Sequence, residues 1–174
     1  MSYHYRREPL TPDEANRLVN VCQTHEEKLV IWTLLDTGLR VSKLANLRKD
    51  SLDWQNHRLM IYGKEGLYST RSKRRMIPLS ARVQSLLQRY FALYDTFGMA
   101  PRTMQCFVKG VANRAHIRRP VAPNVPCHTF SVTAIQKGIS LPALQRVLGH
   151  DRLTTMGSYP NLSPEEVLRE FREK

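Results

Sequence analysis

The sequence lacks the features that mark secreted and membrane proteins. No apolar stretch approaches the roughly 18 residues that a membrane-spanning helix needs, and no apolar segment follows the charged N-terminus, so a secretory signal is not expected. Only three cysteines are present, Cys22, Cys106 and Cys127, and none forms a CxxC pair. Such scattered cysteines exclude a disulfide framework and predict free thiols in a cytoplasmic protein without a cysteine-bound metal.

Acidic residues are also scarce beside basic ones. The 174 residues include 27 Lys and Arg against 15 Asp and Glu, which gives a formal net charge of +12. Such an excess favours a polyanionic partner, and we place DNA or RNA well ahead of a membrane. Charge alone does not separate a DNA enzyme from a generic basic RNA binder, so both remain open at this point. The chain length suits one domain built around a single core.

Local signals predict a mostly helical chain with one extended region. A threonine before Pro12 and two following acids form a strong helix start, and Gly38 suits the end of a buried helix. An alternating pattern on both sides of a Gly-Lys-Glu-Gly turn predicts a small antiparallel hairpin or three-stranded sheet. Three prolines within 120–126 predict an extended linker. Helices are predicted at about 12–22, 26–36, 42–47, 80–94, 102–116, 129–137, 141–148 and 164–173.

The segment 36–47, with the sequence DTGLRVSKLANL, carries the first candidate functional residue. Taken alone, Arg40 in this segment is more simply interpreted as a solvated charge at a helix junction. The whole segment, however, resembles the first motif of the tyrosine recombinases of the phage integrase family. In that motif a glycine ends a helix and the next arginine is presented to the scissile phosphate. The resemblance therefore implies that Arg40 binds this phosphate.

The C-terminal third of the chain carries the strongest resemblance. Residues 128–130 read His-Thr-Phe, residues 148–150 read Leu-Gly-His, and Tyr159 follows nine positions after His150. Each residue has an ordinary alternative, a packing tyrosine or a histidine near a helix end, but these alternatives do not explain the joint spacing. The resemblance implies that Tyr159 is the nucleophile, His150 is catalytic, and the product is a 3′-phosphotyrosyl link. Because this link stores the phosphodiester energy, no ATP, metal or other cofactor is expected.

The predicted hairpin supplies another candidate. Lys64 in its turn resembles the family's hairpin lysine, which would act as a general acid and protonate the departing 5′-hydroxyl. An ordinary surface lysine is the alternative for Lys64, and Lys73 is a competitor for the catalytic role. Further DNA contacts are predicted for Lys43, Arg71, Lys73, Arg74 and His128.

The resemblance breaks at the second motif, which in the family usually reads His-x-x-Arg-His. In this sequence Asn124 stands at the position of the first histidine and Cys127 at that of the arginine. A second guanidinium would hold a non-bridging phosphate oxygen, and losing one such donor costs on the order of 3 kcal/mol. Residues 116–119 also read His-x-x-Arg, but no His-Thr-Phe helix start follows them, so we interpret them as coincidental. We therefore expect weak or absent cleavage with DNA binding retained.

The resemblance covers nearly the whole chain and defines the remaining expectations. It implies a mainly α fold with a small antiparallel β-sheet, that of the tyrosine recombinase catalytic domain. Family members usually carry an N-terminal helical domain, so we expect residues 1–10 to be a linker remnant, residues 11–174 the catalytic domain, and the chain a fragment or the product of a truncated gene.

The expected function is site-specific DNA recombination or integration by strand cleavage and rejoining. A noncatalytic DNA-binding regulator on the same scaffold and a basic RNA binder are the alternatives, whereas a type IB topoisomerase fits the Leu-Gly-His helix less well. The expected partners are duplex DNA, which implies association with the nucleoid, and further copies in a homo-tetramer. The C-terminal helix would dock onto a neighbouring copy, or alternatively pack within its own chain.

Overall fold

The computed structural model describes residues 8–62, 74–148 and 164–173. A short 3-10 turn, Lys49–Ser51, precedes the first strand. In chain order the other elements are α1 (Pro12–Asn20), α2 (His25–Thr37), α3 (Val41–Ala45), β1 (Leu52–Asp53), β2 (Arg58–Tyr62), β3 (Arg74–Pro78), α4 (Ala81–Phe91), α5 (Pro101–Arg114), α6 (Val125–Gln136), α7 (Leu141–Leu148) and α8 (Pro164–Glu173).

Helix α2 is the centre of the core. Apolar residues occur on nearly all its sides, so no face is suited to water, and the helix packs against α1, α4, α5 and α6. Full burial of one such side chain contributes about 1.5–3 kcal/mol. The density of apolar residues predicted this burial, which the structure confirms. The buried apolar residues of α2 are Leu29, Val30, Ile31, Leu34 and Leu35.

The helix starts and ends follow the local chemistry of the sequence. Thr11 caps α1 in a capping box with Glu14, and Pro12 occupies the first turn, where a missing N–H costs nothing. Helix α2 ends at Gly38, whose φ of 69° lies in the left-handed region that glycine adopts without strain. Both predictions are confirmed, and the observed helix ends otherwise differ from the predicted ones by a few residues.

The start of α6 corrects one prediction. Prolines were expected to keep the chain extended up to a helix at 129–137, but α6 begins at Val125 and contains Pro126 in its first turn. A proline is tolerated there because the first N–H groups of a helix have no intrahelical acceptor. Cys127 and His128 consequently belong to the first turns of this helix rather than to a linker.

The sheet is antiparallel with the order β1-β2-β3. Leu59 pairs with Ile77 and both are buried, so one face of the sheet is covered by the core. Strand β3 also packs against α7 and α8, which joins the sheet to the C-terminal helices. Over the described ranges, no helix combines the length and the apolar character needed to cross a membrane.

Candidate active site

The turn between α2 and α3 presents Arg40 at the surface. Gly38 reverses the chain in the left-handed conformation, and Leu39, which is 2% exposed, anchors the turn in the core. Arg40 follows in extended backbone as the N-cap residue of α3 and is exposed. The turn thus combines a fixed backbone with a cationic side chain that reaches solvent.

Two helices from the C-terminal half pack directly on this turn. A Cβ atom added to Gly38 would lie 2.5 Å from Cδ1 of Phe130 in α6 and 2.9 Å from Cδ2 of Leu148 in α7. These distances are shorter than any real Cβ contact, so the close approach of α6 and α7 depends on the absence of a side chain at residue 38. The glycine therefore has a packing role as well as a conformational one.

Gly38→Ala is expected to destabilise the protein by about 2–4 kcal/mol, because it adds left-handed backbone strain to overpacking against Phe130 and Leu148. Gly110→Ala is the matched control, since nothing lies within 4 Å of a Cβ at this position in α5. Replacing glycine by alanine inside a helix stabilises by about 0.5–1 kcal/mol. Urea unfolding of both variants measures the difference, and equal stabilities would contradict the packing described at Gly38.

Cys127 lies beside the same turn. Its thiol donates a hydrogen bond of 2.8 Å to the backbone oxygen of Leu39, and its side chain is buried. Burial raises the pKa of the thiol to about 11, and the positive charge of Arg40 partly opposes this shift. The thiol is therefore neutral near pH 7. The structure thus brings residue 127 next to Arg40, although the two are far apart in the sequence, and Asn124 is exposed at the N-cap of α6.

A second arginine, which the sequence analysis did not select, lies near Arg40. Arg75 in β3 donates from its guanidinium to the backbone oxygens of Val147, at 3.3 Å, and of Leu148. Burial lowers the pKa of Arg75, and the positive charge of Arg40 lowers it further. The signal that could have identified Arg75 is the alternation of the strand, which places it on the same sheet face as the buried Ile77. The sequence analysis instead predicted a DNA contact for the neighbouring Arg74.

The other candidate residues are placed as follows. Lys43 is half-buried on α3, and His128 is exposed in the first turns of α6. Arg74 belongs to β3, but its side chain lies outside the described part of the chain. Five candidates fall wholly outside the described residues, namely Lys64, Arg71, Lys73, His150 and Tyr159.

Arg119, the arginine of the coincidental His-x-x-Arg sequence, has a structural role. Its guanidinium donates to the backbone oxygen of Pro9 at 2.6 Å and to the carboxylate of Glu14 at 2.7 Å. The pairing contributes to the lowered pKa of Glu14, whose burial acts in the opposite direction. Leu10 is held nearby, since its N–H donates to Thr129 Oγ1 at 2.9 Å. Arg119 thus fixes the entering chain to α1, which agrees with the interpretation of 116–119 as coincidental.

Charge is unevenly distributed along the chain. No aspartate or glutamate occurs between Asp95 and Asp151, a span that contains α5, α6 and α7. On α5, Arg102 and Lys109 are exposed. Carboxylates from the N-terminal part of the chain pair with Arg114 and Arg119 of this span. The exposed cations of α5 favour an anionic partner.

Comparison with known proteins identifies relatives along nearly the whole chain. The sequence profile of the phage integrase family matches residues 8–166. The tyrosine recombinase XerA of Thermococcus onnurineus is 27% identical over 181 residues, an alignment that covers 95% of this chain and 61% of the relative. The chain therefore spans about three fifths of the length of this curated relative.

Solved structures share the fold. The integrase of mycobacterium phage Brujita superimposes with a TM-score of 0.77 at 17% identity, covering 98% of this chain and 58% of that one. The XerH site-specific recombinase, solved as a pre-cleavage complex with its difH substrate, gives a TM-score of 0.70 at 20% identity and covers 86% of this chain and 49% of that one. The expected architecture, mainly α with a small antiparallel sheet, is confirmed.

Proposed function

The chain belongs to the phage integrase family, and we propose that it acts in site-specific DNA recombination or integration as the catalytic part of a tyrosine recombinase. The observation that carries the proposal is the Gly38 turn. Arg40 is exposed on this turn, and α6 and α7 pack against Gly38. Residues from three distant parts of the sequence meet at this turn. Their order along the chain is that of the family's motifs.

The proposed chemistry is a phosphoryl transfer between a DNA strand and the protein. The hydroxyl of Tyr159 releases its proton to solvent as its oxygen attacks the scissile phosphorus, the bond to the 5′-oxygen breaks, and a 3′-phosphotyrosyl link forms. Arg40 donates to a non-bridging oxygen and stabilises the charge that develops there. Lys64 gives its proton to the departing 5′-oxygen, and His150 belongs to the same catalytic group. Rejoining reverses these steps, so the number of phosphodiester bonds is conserved.

Cys127 limits the proposed activity. A neutral, buried thiol donating to Leu39 provides no cationic fork for the phosphate, and Asn124 cannot exchange a proton near neutral pH. Loss of a preorganised donor to a developing oxyanion lowers a rate by roughly a hundredfold or more. This observation favours the second candidate function, a DNA-binding regulator on the same scaffold that does not cleave.

A nicked suicide duplex separates the two functions. We expect the wild-type chain to bind this duplex but to form little SDS-resistant complex, because only one phosphate-binding arginine is present at the expected positions. Tyr159→Phe is expected to remove the remaining complex while leaving the affinity for duplex DNA unchanged. Abundant trapping through Tyr159 would contradict the impairment. Complete absence of trapping even after restoration of the second motif, by Cys127→Arg together with Asn124→His, would favour the regulator.

The proposed partners are duplex DNA and further copies of the chain. In our proposal residues 11–174 form the catalytic domain, residues 1–10 act as a linker, and association with the nucleoid follows from binding DNA. A homo-tetramer on DNA would form through α8. In the single chain α8 packs within its own domain, because Leu168 is buried, Phe171 stacks on Phe130 with ring centroids 6.1 Å apart, and Glu170 accepts from Ser140. Docking α8 on a neighbour requires exchange of these contacts.

A further inference from the structure

Arg75 occupies the sheet face that the core covers. The register of β2 and β3 pairs Ile61 with Arg75 and Leu59 with Ile77, and the three apolar members of these pairs are buried. Cross-strand partners and alternate residues of a strand share one face of a sheet. A cation on such a face is unfavourable unless polar groups surround it. The position therefore requires a specific set of partners for the guanidinium.

The end of α7 supplies these partners. Arg75 donates to the backbone oxygens of Val147 and Leu148, which are the last two residues of the helix. The last carbonyls of a helix have no intrahelical donor and carry a partial negative charge. Arg75 thus caps α7 with a charged side chain that comes from β3, an element far away in the sequence.

The capped end of α7 contacts the turn that carries Arg40. The side chain of Leu148 packs so closely on Gly38 that a methyl group there would not fit. The thiol of Cys127 in α6 binds the oxygen of Leu39 in the same turn. The turn is therefore held by contacts with both α6 and α7, and the position of α7 is fixed in part by Arg75.

We propose that Arg75 is a positioning residue for DNA cleavage, which holds the end of α7 against the Gly38 turn and thereby orients Arg40. The inference rests on the proposed function, in which Arg40 binds the scissile phosphate. Arg75 acts through the turn and is assigned no contact with the phosphate. Because a displacement of about 1 Å at a reacting group can cost roughly a hundredfold in rate, this cap has consequences for cleavage that exceed its effect on stability.

The first test is structural and does not require activity. Arg75→Gln is compared with Arg58→Gln, since Arg58 is also a half-buried arginine of the sheet but pairs with Asp53 at 2.9 Å, at the opposite end of the strand pair. In nitrogen–proton NMR spectra we expect Arg75→Gln to shift the Arg40 Nε–H signal and the backbone amide signals of residues 39 and 40. Arg58→Gln is expected to leave these signals in place.

The second test measures cleavage and binding separately. In the wild-type chain and in the variant with a restored second motif, Arg75→Gln is expected to lower the rate of covalent trapping at saturating DNA by about tenfold to a hundredfold. The affinity for duplex DNA is expected to change by less than about twofold, because the direct phosphate contacts persist. Arg75→Lys, which keeps a charged donor, is expected to recover part of the rate. A purely structural role would instead lower binding and trapping together, in proportion to the folded fraction.

The outcomes separate this inference from the proposed function. Unchanged Arg40 signals in a folded Arg75→Gln variant would overturn the positioning role, as would an unchanged trapping rate where trapping is measurable. If neither background traps DNA while the Arg40 signals still depend on Arg75, the proposed cleavage activity fails and the coupling between Arg75 and the Arg40 turn is supported.

Discussion

Replacing Cys127 by arginine together with Asn124 by histidine is expected to raise covalent trapping of a nicked suicide duplex by about a hundredfold. The physical reason is that Cys127 lies in the first turn of α6, beside the turn that presents Arg40. A guanidinium introduced there would hold a second non-bridging oxygen of the phosphate that Arg40 binds. The measurement is the amount of SDS-resistant complex formed over time at saturating DNA.

Two controls make this result specific. Cys127→Met with Asn124→His introduces an unbranched side chain without charge, so it tests whether filling space at residue 127 is sufficient. Tyr159→Phe in the restored background tests whether the trapped complex passes through the proposed nucleophile. If the restored variant folds, binds DNA and traps no more than the wild type, residue 127 does not correspond to the second arginine of the family's motif.

The affinity for duplex DNA is expected to fall by about a thousandfold or more as salt rises from about 50 to about 200 mM. The expectation follows from the net charge of +12 and from the span without acids between Asp95 and Asp151. Each phosphate neutralised by a cation releases condensed counterions, and salt opposes that release. Fluorescence anisotropy of a labelled duplex over a series of salt concentrations measures the affinity, and the slope of its logarithm against the logarithm of the salt concentration gives the salt dependence.

Variants of single residues measure how much each cation contributes to this salt dependence. Lys43→Gln is expected to reduce the slope by about one, as for a lysine that contacts a phosphate. Arg119→Gln is the matched control and is expected to leave it unchanged, because Arg119 already pairs with Glu8 and Glu14 within the protein. Equal effects of the two substitutions would argue against a DNA contact at Lys43. Tighter binding to a matched RNA duplex than to DNA would favour the RNA-binding alternative.

Local sequence patterns predicted most of the secondary structure because they act within one or two turns of chain. The cap at Thr11, the left-handed end at Gly38 and the burial of α2 each depend on neighbouring residues and hydrophobic spacing. The predicted start of α6 was wrong because it, too, was drawn from local residue preferences alone. Three prolines favour extended backbone on average, but packing of Val125 and Cys127 in the core selects the arrangement in which Pro126 occupies the first helical turn.

For the candidate site, the sequence predicted Arg40 and the abnormal residues at 124 and 127 through their order along the chain. The sequence analysis did not predict a role for Arg75. A cation two residues from Ile77 in a strand indicates a helix cap only once the structure shows that α7 covers this face of the sheet. At Arg119 the sequence and the structure agree. Its His-x-x-Arg motif was interpreted as coincidental, and its partners Glu8, Pro9 and Glu14 give it a structural role.

The sequence by itself determined the helices, the small sheet, the strong positive charge and the family to which the chain belongs, since all of these are properties of residue type and spacing. Only the tertiary structure decided that the thiol of Cys127 binds the Leu39 oxygen, that Arg75 caps α7, and that α8 packs on its own domain. These contacts join residues far apart in the chain. Their geometry depends on how whole helices pack, because the direction of a buried side chain is fixed by its surroundings rather than by its neighbours in sequence.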